Sequence, residues 1–144
     1  MNIEAMKEEI KKEEGYSNKV YFDILGYGTI GYGHLVTPLD NFKEGVVYDN
    51  KKLEKVFEYD FQIAHQDGLK LTEGLDLNEE AVEIIIHMCF QMGRTKVSKF
   101  KKMFQYLKEK DYVNAGFEME DSLWCKKHTP ARAMRLSDRM KKLT

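Results

Sequence analysis

The chain has 144 residues with a formal net charge of −1, 42% hydrophobic residues and 12% aromatic residues. This length is typical of one domain or two closely joined lobes, and the apolar content excludes a disordered chain. No apolar run approaches the ~18 residues that a membrane-spanning helix requires, and the acidic N-terminus lacks the apolar core of a secretory signal. We therefore expect synthesis in the cytoplasm, without a signal peptide.

The near-neutral net charge conceals an asymmetry along the chain. Residues 1–90 carry 9 Lys and Arg against 18 Asp and Glu, a net of −9, whereas residues 91–144 carry 14 against 6, a net of +8. Such asymmetry biases the choice of charged partners. Nucleic-acid binding is one alternative, but the basic residues are spread over several predicted helices and match no nucleic-acid-binding motif. We expect no nucleic-acid partner.

The predicted elements begin with a helix over residues 2–14, whose apolar residues are near helical spacing and which Gly15 ends. Residues 16–35 then contain four glycines within eight residues, interleaved with Tyr, Thr and Ile. This composition predicts short strands joined by tight turns, and it is the one β region that we predict.

A long helix over about residues 51–66 is predicted next, because its apolar residues fall on one face after a capping Asp49 or Asn50. A loop then leads to Asn78, a good N-cap residue. The segment that follows is apolar nearly all round until Gly93. Such a helix is normally the buried centre of a helical lobe.

Three further helices are predicted towards the C-terminus. Apolar residues at helical spacing mark one helix over residues 97–107 and another over residues 112–119. Thr129 is a capping residue that precedes Pro130 at the first helical position of the last helix.

These elements predict an α+β, mainly helical fold that forms a single domain over residues 1–144. A small β-containing lobe is expected at residues 15–50, a connecting helix at 51–69, and an α-helical lobe at 70–144 together with 2–14. Clefts between such lobes are preferred sites for ligands.

The two cysteines, Cys89 and Cys125, are too few for a disulfide framework and stand 36 positions apart. Without a signal peptide, two reduced thiols are favoured over a disulfide. The chain lacks the paired spacing of zinc ligands, so we expect no metal site.

The segment Gly26-Tyr27-Gly28-Thr29-Ile30-Gly31 satisfies the G-x-G-x-x-G pattern of dinucleotide-binding loops. That pattern requires a strand before the glycines and a helix after them. Here Tyr32-Gly33-His34 follows and no βαβ unit surrounds the glycines. We interpret them as turn formers.

Two carboxylates and a hydroxyl border this turn-rich region. Glu14 ends the first helix, Asp23 follows an apolar strand, and Thr29 lies among the glycines. Such a set can supply a general acid and a base that positions water. The alternative from the residues alone is a solvated Glu, a turn Asp and a strand Thr, and composition favours that alternative.

Three blocks of the chain carry specific motifs. They are Glu14-Gly15 with Tyr21-x-Asp23 and Gly26-x-x-Thr29-Ile30-Gly31-x-Gly33-His34-Leu35; Phe90-Gln91-Met92-Gly93; and Trp124 with Thr129-Pro130-x-Arg132-x-x-Arg135. In this order they resemble the phage-type lysozymes (endolysins, glycoside hydrolase family 24), whose fold is lysozyme-like.

The resemblance implies hydrolysis of the β-1,4 bond between N-acetylmuramic acid and N-acetylglucosamine in bacterial peptidoglycan, for host cell lysis. It implies that Glu14 is the general acid, that Asp23 activates or orients water, and that Thr29 holds this water. The family inverts configuration, which requires carboxyl groups ~6.5–9.5 Å apart. The resemblance further implies no cofactor, a monomer, no stable membrane insertion, and holin-dependent access to the wall.

Four further residues are implied to bind the substrate. Leu35 and Phe90 match positions that line the saccharide cleft, Gln91 is a donor to a sugar acetamido group, and Arg132 is expected to approach Glu14. From the residues alone, core packing for Phe90 and helix capping for Gln91 remain equally open.

The remaining motif residues are expected to be structural. Core packing is favoured over sugar stacking for Trp124, and His34 is expected to form structural hydrogen bonds, with Asp60 as a possible partner. A non-catalytic module that binds cell-wall glycans is the alternative function, although the catalytic trio is complete. Since peptidoglycan and its surrounding polymers are anionic, the basic part of the chain is expected to attract the wall.

Overall fold

The computed structural model describes residues 1–122 and 129–144. These residues form seven helices and three strands: α1 (Ile3–Glu14), β1 (Ser17–Phe22), β2 (Gly28–Gly31), β3 (His34–Leu35), α2 (Asn50–Leu71), α3 (Glu79–Met92), α4 (Arg94–Ser98), α5 (Lys101–Lys108), α6 (Tyr112–Glu120) and α7 (Pro130–Lys141). The fold is α+β and mainly helical, as predicted. No described helix combines the length and apolar character of a membrane span.

The chain divides into two compact units. Residues 2–63 form the first unit, and residues 64–144 together with Met1 form the second. The lobe boundaries drawn from the sequence stay a prediction. The expectations for Trp124 and Cys125 lie outside the described residues.

The first unit contains a three-stranded antiparallel sheet in the order β1-β2-β3. Tyr21 is paired with Thr29, and Thr29 with Leu35, so these three residues form one row across the sheet. Directly opposed residues share a face of an antiparallel pair, and the next residue along each strand lies on the other face. Ile30, which is fully buried, and His34 therefore share the face opposite to this row.

The helix α1 begins and ends where the sequence predicts. The side chain of Asn2 accepts a hydrogen bond from the N–H of Ala5, and Met6 and Ile10 are buried. Gly15, at φ +72°, takes the chain out of the helix immediately after Glu14.

One carboxylate on α2 fixes both α1 and the turn between β2 and β3. Glu54 accepts hydrogen bonds from Lys11 Nζ at 3.0 Å and from the Tyr32 hydroxyl at 3.0 Å. A single side chain on α2 is therefore bonded to α1, which ends at Glu14, and to the turn that contains Gly33.

The second unit is built around α3. Asn78 caps this helix through its side chain, and the buried residues of α3 comprise Ala81 and all of 84–89. The prediction of a central buried helix is confirmed. Burial, together with the charges of Arg139 and Arg132, lowers the pKa of His87 to about 3.

The thiol of Cys89 is free and buried on α3, as predicted. Burial, reinforced by the charge of Asp67, raises its pKa to about 12. This thiol therefore stays protonated, and a metal or an oxidant requires the thiolate.

The helix α2 is longer than predicted and continues through Gly68 to Leu71. The sequence predicts the end of this helix at about residue 66 and a loop from there to Asn78. In the structure Gly68 lies against α3, where an added Cβ would stand 2.5 Å from Ile86 Cγ1. The glycine is a point of close helix contact within a helix, and its local sequence does not distinguish this from a helix end.

The single helix predicted over residues 97–107 is wrong, because two helices, α4 and α5, occupy this segment. The N–H groups of Lys99 and Phe100 bond to carbonyls three residues earlier, which tightens the chain, and Phe100 has a ψ of 59° outside the helical range. Val97 and Leu107 are both fully buried, so the apolar spacing survives the break and conceals it.

The predicted partner of His34 is confirmed. Its Nδ1 lies 2.7 Å from Asp60 Oδ2, and its Nε2 lies 3.0 Å from Asp40 Oδ2. Since both ring nitrogens face carboxylates, both must donate, and the ring is an imidazolium. The hydrogen bond to Asp60, supported by Asp40, raises the pKa of His34 to about 9 despite its burial.

This raised pKa predicts a loss of stability in alkaline solution. The contribution of charged His34 is complete below its unfolded pKa of about 6.5 and is lost as the pH rises towards about 9. Allowing for solvent screening, we expect a loss of about 1–2 kcal/mol in the free energy of unfolding, measured by denaturant titration at pH 6 and pH 9.5.

The variant His34→Gln should lose this alkaline component, whereas His65→Gln, a change on α2 outside the pair of carboxylates, should keep it. An equal alkaline loss in His34→Gln and the unmodified protein would contradict the assignment.

Candidate active site

The predicted catalytic residues Glu14, Asp23 and Thr29 all belong to the first unit. Glu14 is the last residue of α1, and its carboxyl group lies against the backbone of Gly33. A Cβ added to Gly33 would stand 2.6 Å from Glu14 Oε1, and Gly33 has φ +74°. Only glycine therefore satisfies both the backbone conformation and the space that the Glu14 carboxyl group occupies.

Asp23 directly follows β1 and closes the turn that leads to β2. Its Oδ1 accepts hydrogen bonds from the N–H groups of Leu25 at 2.9 Å and Tyr27 at 2.8 Å. Its backbone N–H donates to the carbonyl of Tyr27, and its carbonyl accepts from Gly26. Within the described chain, no residue donates a hydrogen bond to the second carboxylate oxygen, Oδ2. The turn therefore holds one oxygen and leaves the other for a water or a substrate.

Thr29 stands at the centre of the row across the sheet and is only 3% exposed. Its hydroxyl donates to the carbonyl of Tyr27 at 2.9 Å. A hydroxyl group has a single hydrogen, so any further partner of Thr29 Oγ1 must donate to it. A water molecule bound there would direct a hydrogen towards Thr29 and its lone pair elsewhere.

Tyr21 is the neighbour of Thr29 in this row, a role that was not predicted from the sequence. Burial, and then the charges of Glu14 and Asp23, raise the pKa of its hydroxyl. Tyr21 therefore presents a neutral O–H donor in the field of both carboxylates. The sequence places Tyr21 two residues before Asp23, but its position beside Thr29 follows from the pairing of β1 with β2.

Leu35, the predicted saccharide contact of the first unit, lies opposite Thr29 at the other end of the row. Its side chain is 52% exposed, which is high for a leucine paired within a sheet. The row therefore combines a hydroxyl donor, a buried hydroxyl group and an open apolar surface. Contact between Leu35 and a sugar stays a prediction.

The other three predicted site residues, Phe90, Gln91 and Arg132, belong to the second unit. Phe90 is partly buried and packs against the core of that unit. Gln91 Nε2 donates to the hydroxyl of Thr129 at 2.7 Å, which occupies the side chain expected to cap α7. Arg132 is buried on α7. Their roles in binding, and the approach of Arg132 to Glu14, stay predictions.

Over residues 1–122 and 129–144, no group of three or more His, Cys, Asp or Glu residues is arranged to hold a metal ion.

Comparison with known proteins relates nearly the whole chain to one family. The sequence profile of the family described as phage lysozyme matches residues 11–141, which include every predicted site residue. Probable T4-type lysozyme 2 of Dictyostelium discoideum is 29% identical over 160 residues, which cover 93% of this chain and 92% of that protein.

Two phage proteins are similar to the chain over part of their own length. The pre-baseplate central spike protein Gp5 of Enterobacteria phage T4 is 28% identical over 158 residues, covering 92% of this chain and 27% of that protein. Peptidoglycan hydrolase gp36 of Pseudomonas phage phiKMV is 27% identical over 135 residues, covering 93% of this chain and 15% of that protein.

The contact between Glu14 and Gly33 predicts that Gly33→Ala reduces activity more than stability. The added methyl group must displace the Glu14 carboxyl group, and misplacement of a reacting group by about 1 Å can cost about 100-fold in rate. We therefore expect the rate of peptidoglycan hydrolysis to fall by about 10- to 100-fold. The positive φ should cost about 1 kcal/mol of stability.

Gly45 provides a matched control, since it has φ +78° but no atom within 4 Å of an added Cβ. Gly45→Ala should lose similar stability by thermal unfolding and keep its rate of peptidoglycan hydrolysis. Equal hydrolysis rates in the two variants would show that Gly33 does not position Glu14.

Proposed function

The chain belongs to the phage lysozyme family, and we propose that it cleaves the β-1,4 bond between N-acetylmuramic acid and N-acetylglucosamine by an inverting acid/base mechanism. Membership of this family makes the protein a glycoside hydrolase, a lysozyme with peptidoglycan as its substrate. The bond, the mechanism and the residue roles are the proposal.

In this proposal Glu14 is the general acid. It gives its proton to the glycosidic oxygen as the bond from that oxygen to the anomeric carbon breaks, which releases a neutral hydroxyl group. Support comes from its place at the end of α1, where Gly15 ends the helix and Gly33 leaves room for the carboxyl group. A carboxyl group held in one position stays oriented towards the glycosidic oxygen that it protonates.

Asp23 and Thr29 are proposed to hold the attacking water. The water donates one hydrogen to Thr29 Oγ1 and the other to Asp23 Oδ2, so a lone pair is directed at the anomeric carbon. As the new bond forms, Asp23 takes the proton that the water loses. The proton gained by Asp23 balances the one given up by Glu14, and a second transfer through solvent restores both groups.

Tyr21 is proposed to stabilise the charge that Glu14 acquires when it gives up its proton. A neutral hydroxyl group close to a new carboxylate favours its formation, since charge-assisted hydrogen bonds are stronger than neutral ones. The proposed saccharide contacts are Leu35, Phe90, Gln91 and Arg132.

The biological part of the proposal is lysis of a bacterial host. We propose that the protein stays in the host cytoplasm until a holin opens the membrane, and that it then acts on the wall as a monomer. The acid/base steps above use only the glycan and water, and they require no cofactor.

The observation that carries the proposal is the hydrogen bonding of the Asp23 carboxylate. Two backbone amides donate to Oδ1, and within the described chain no residue donates to Oδ2. An oriented carboxylate with an open oxygen is what a base acting on water requires. In this mechanism the base Asp23 acts only together with the acid Glu14. The test below therefore replaces Glu14.

Replacing Glu14 with Gln should reduce peptidoglycan hydrolysis about 10²- to 10⁴-fold, because an amide cannot supply the proton. The measurement is release of muropeptides from purified peptidoglycan, with identification of the new reducing ends. The unmodified protein should produce free N-acetylmuramic acid ends. Glu8→Gln, on the same helix with an exposed side chain, is the matched control and should keep full activity.

Other products would overturn the proposal in distinct ways. Anhydro-muramic ends would indicate a lytic transglycosylase, and released peptides would indicate an amidase. Binding of the unmodified protein to the wall without new reducing ends would indicate a glycan-binding module.

A further inference from the structure

The helices α4 and α5 present a strongly cationic surface in the second unit. Residues 94–108 contain six cationic residues and no carboxylate. Five of the six are exposed lysines, here called the lysine face: Lys96, Lys99, Lys101, Lys102 and Lys108. In the part of the chain that the structure describes, none of the five has a carboxylate within ion-pair distance. Their charge is therefore not neutralised by the protein's own described residues.

A groove of about 430 Å³ opens on this surface. Its lining, here called the lysine groove, consists of Leu71, Ser98, Lys101, Phe104, Gln105 and Lys108. Lys101 and Lys108 stand about two helical turns apart, so their ammonium groups border the same groove. Phe104 and Leu71 supply apolar surface, and no carboxylate is among the described residues that line the groove.

A neighbouring groove of about 370 Å³ differs in its charge. Lys99, Lys101 and Lys102 border it, but Glu118 and Asp121 line it as well. Mixed charge reduces the attraction of an anion at close range. Of the two grooves, the lysine groove is the one suited to an anionic ligand.

We propose that the lysine groove binds carboxylate groups of the peptides carried by peptidoglycan. This inference rests on the proposed function, because the substrate polymer supplies the ligand. Its peptides end in carboxylates next to small apolar side chains, and the groove offers two ammonium groups beside Phe104 and Leu71. The groove thereby retains the enzyme on the polymer that it cuts.

Peptide carboxylates fit the groove better than nucleic acid does. Single-stranded nucleic acid is held by a series of aromatic side chains on which bases stack. Among the described residues, the lining of the lysine groove contains one aromatic side chain, Phe104, which is only partly exposed. The groove lysines should strengthen binding to peptidoglycan, and this contribution should fall as salt is added, since exposed charges are screened over about 8 Å at physiological salt.

The test measures binding of Glu14→Gln protein, which cannot cut, to insoluble peptidoglycan by co-sedimentation at increasing salt. Adding Lys101→Gln and Lys108→Gln should weaken binding about 3- to 20-fold at low salt, and the difference should vanish near 1 M salt. Lys51→Gln with Lys55→Gln, two exposed lysines on α2, is the matched control and should leave binding unchanged.

A second arm identifies the ligand by using peptidoglycan whose carboxyl groups have been converted to neutral amides. Glu14→Gln protein should then bind as weakly as the groove variant binds untreated material, and the groove variant should lose nothing further. Equal binding by groove and control variants, undiminished binding to the amidated material, or absence of binding overturns the proposal. Stronger retention on DNA than on peptidoglycan, lost in the groove variant, would reassign the groove to nucleic acid.

Failure of this proposal is distinguishable from failure of the proposed function. The binding assay uses protein that does not cut, so it reports on the groove whatever bond the enzyme cleaves. A variant that retains Glu14 and carries only the two groove substitutions should cleave short glycans without peptides at the unchanged rate. This measurement tests the catalytic residues alone.

Discussion

Two backbone amides hold one carboxylate oxygen of Asp23, and the candidate site depends on this arrangement. The same hydrogen bonds, from Leu25 and Tyr27, close the turn between β1 and β2. The shape of the turn and the orientation of the carboxylate are therefore one constraint. Tyr27 also accepts the hydroxyl hydrogen of Thr29, which leaves only acceptor capacity at Thr29 Oγ1. A turn of five residues thus sets the direction in which a water can be bound.

The rest of the first unit keeps the acid side of the site in place. Glu54 on α2 bonds to Lys11 on α1 and to Tyr32 in the turn that precedes Gly33. Asp60, six residues further along α2, bonds to His34 immediately after that glycine. The backbone at Gly33 is therefore held from both sides, and it is this backbone that borders the Glu14 carboxyl group. The second unit carries a separate property, the unneutralised charge of the lysine face.

Sequence patterns predicted the features that depend on local chemistry. Gly15 and Asn78 mark true helix ends because capping requires particular residues at particular positions, and the β region follows from its closely spaced glycines. Apart from the contact between His34 and Asp60, the features decided by distant contacts were not predicted. Ile86 lies where a Cβ on Gly68 would stand, which accounts for a glycine inside α2, and the break at Phe100 leaves the apolar spacing intact. Tyr21 joins the candidate site through its pairing with Thr29, which only the register of the sheet reveals.

The central claim is that water, held by Asp23 and Thr29, attacks the anomeric carbon. Proton NMR of the first product formed from a soluble peptidoglycan fragment, recorded before the anomers equilibrate, tests it most directly. Attack by water on a β-linked sugar predicts that the α-anomer appears first. Initial appearance of the β-anomer would indicate a double displacement instead of direct attack by water and would contradict the claim.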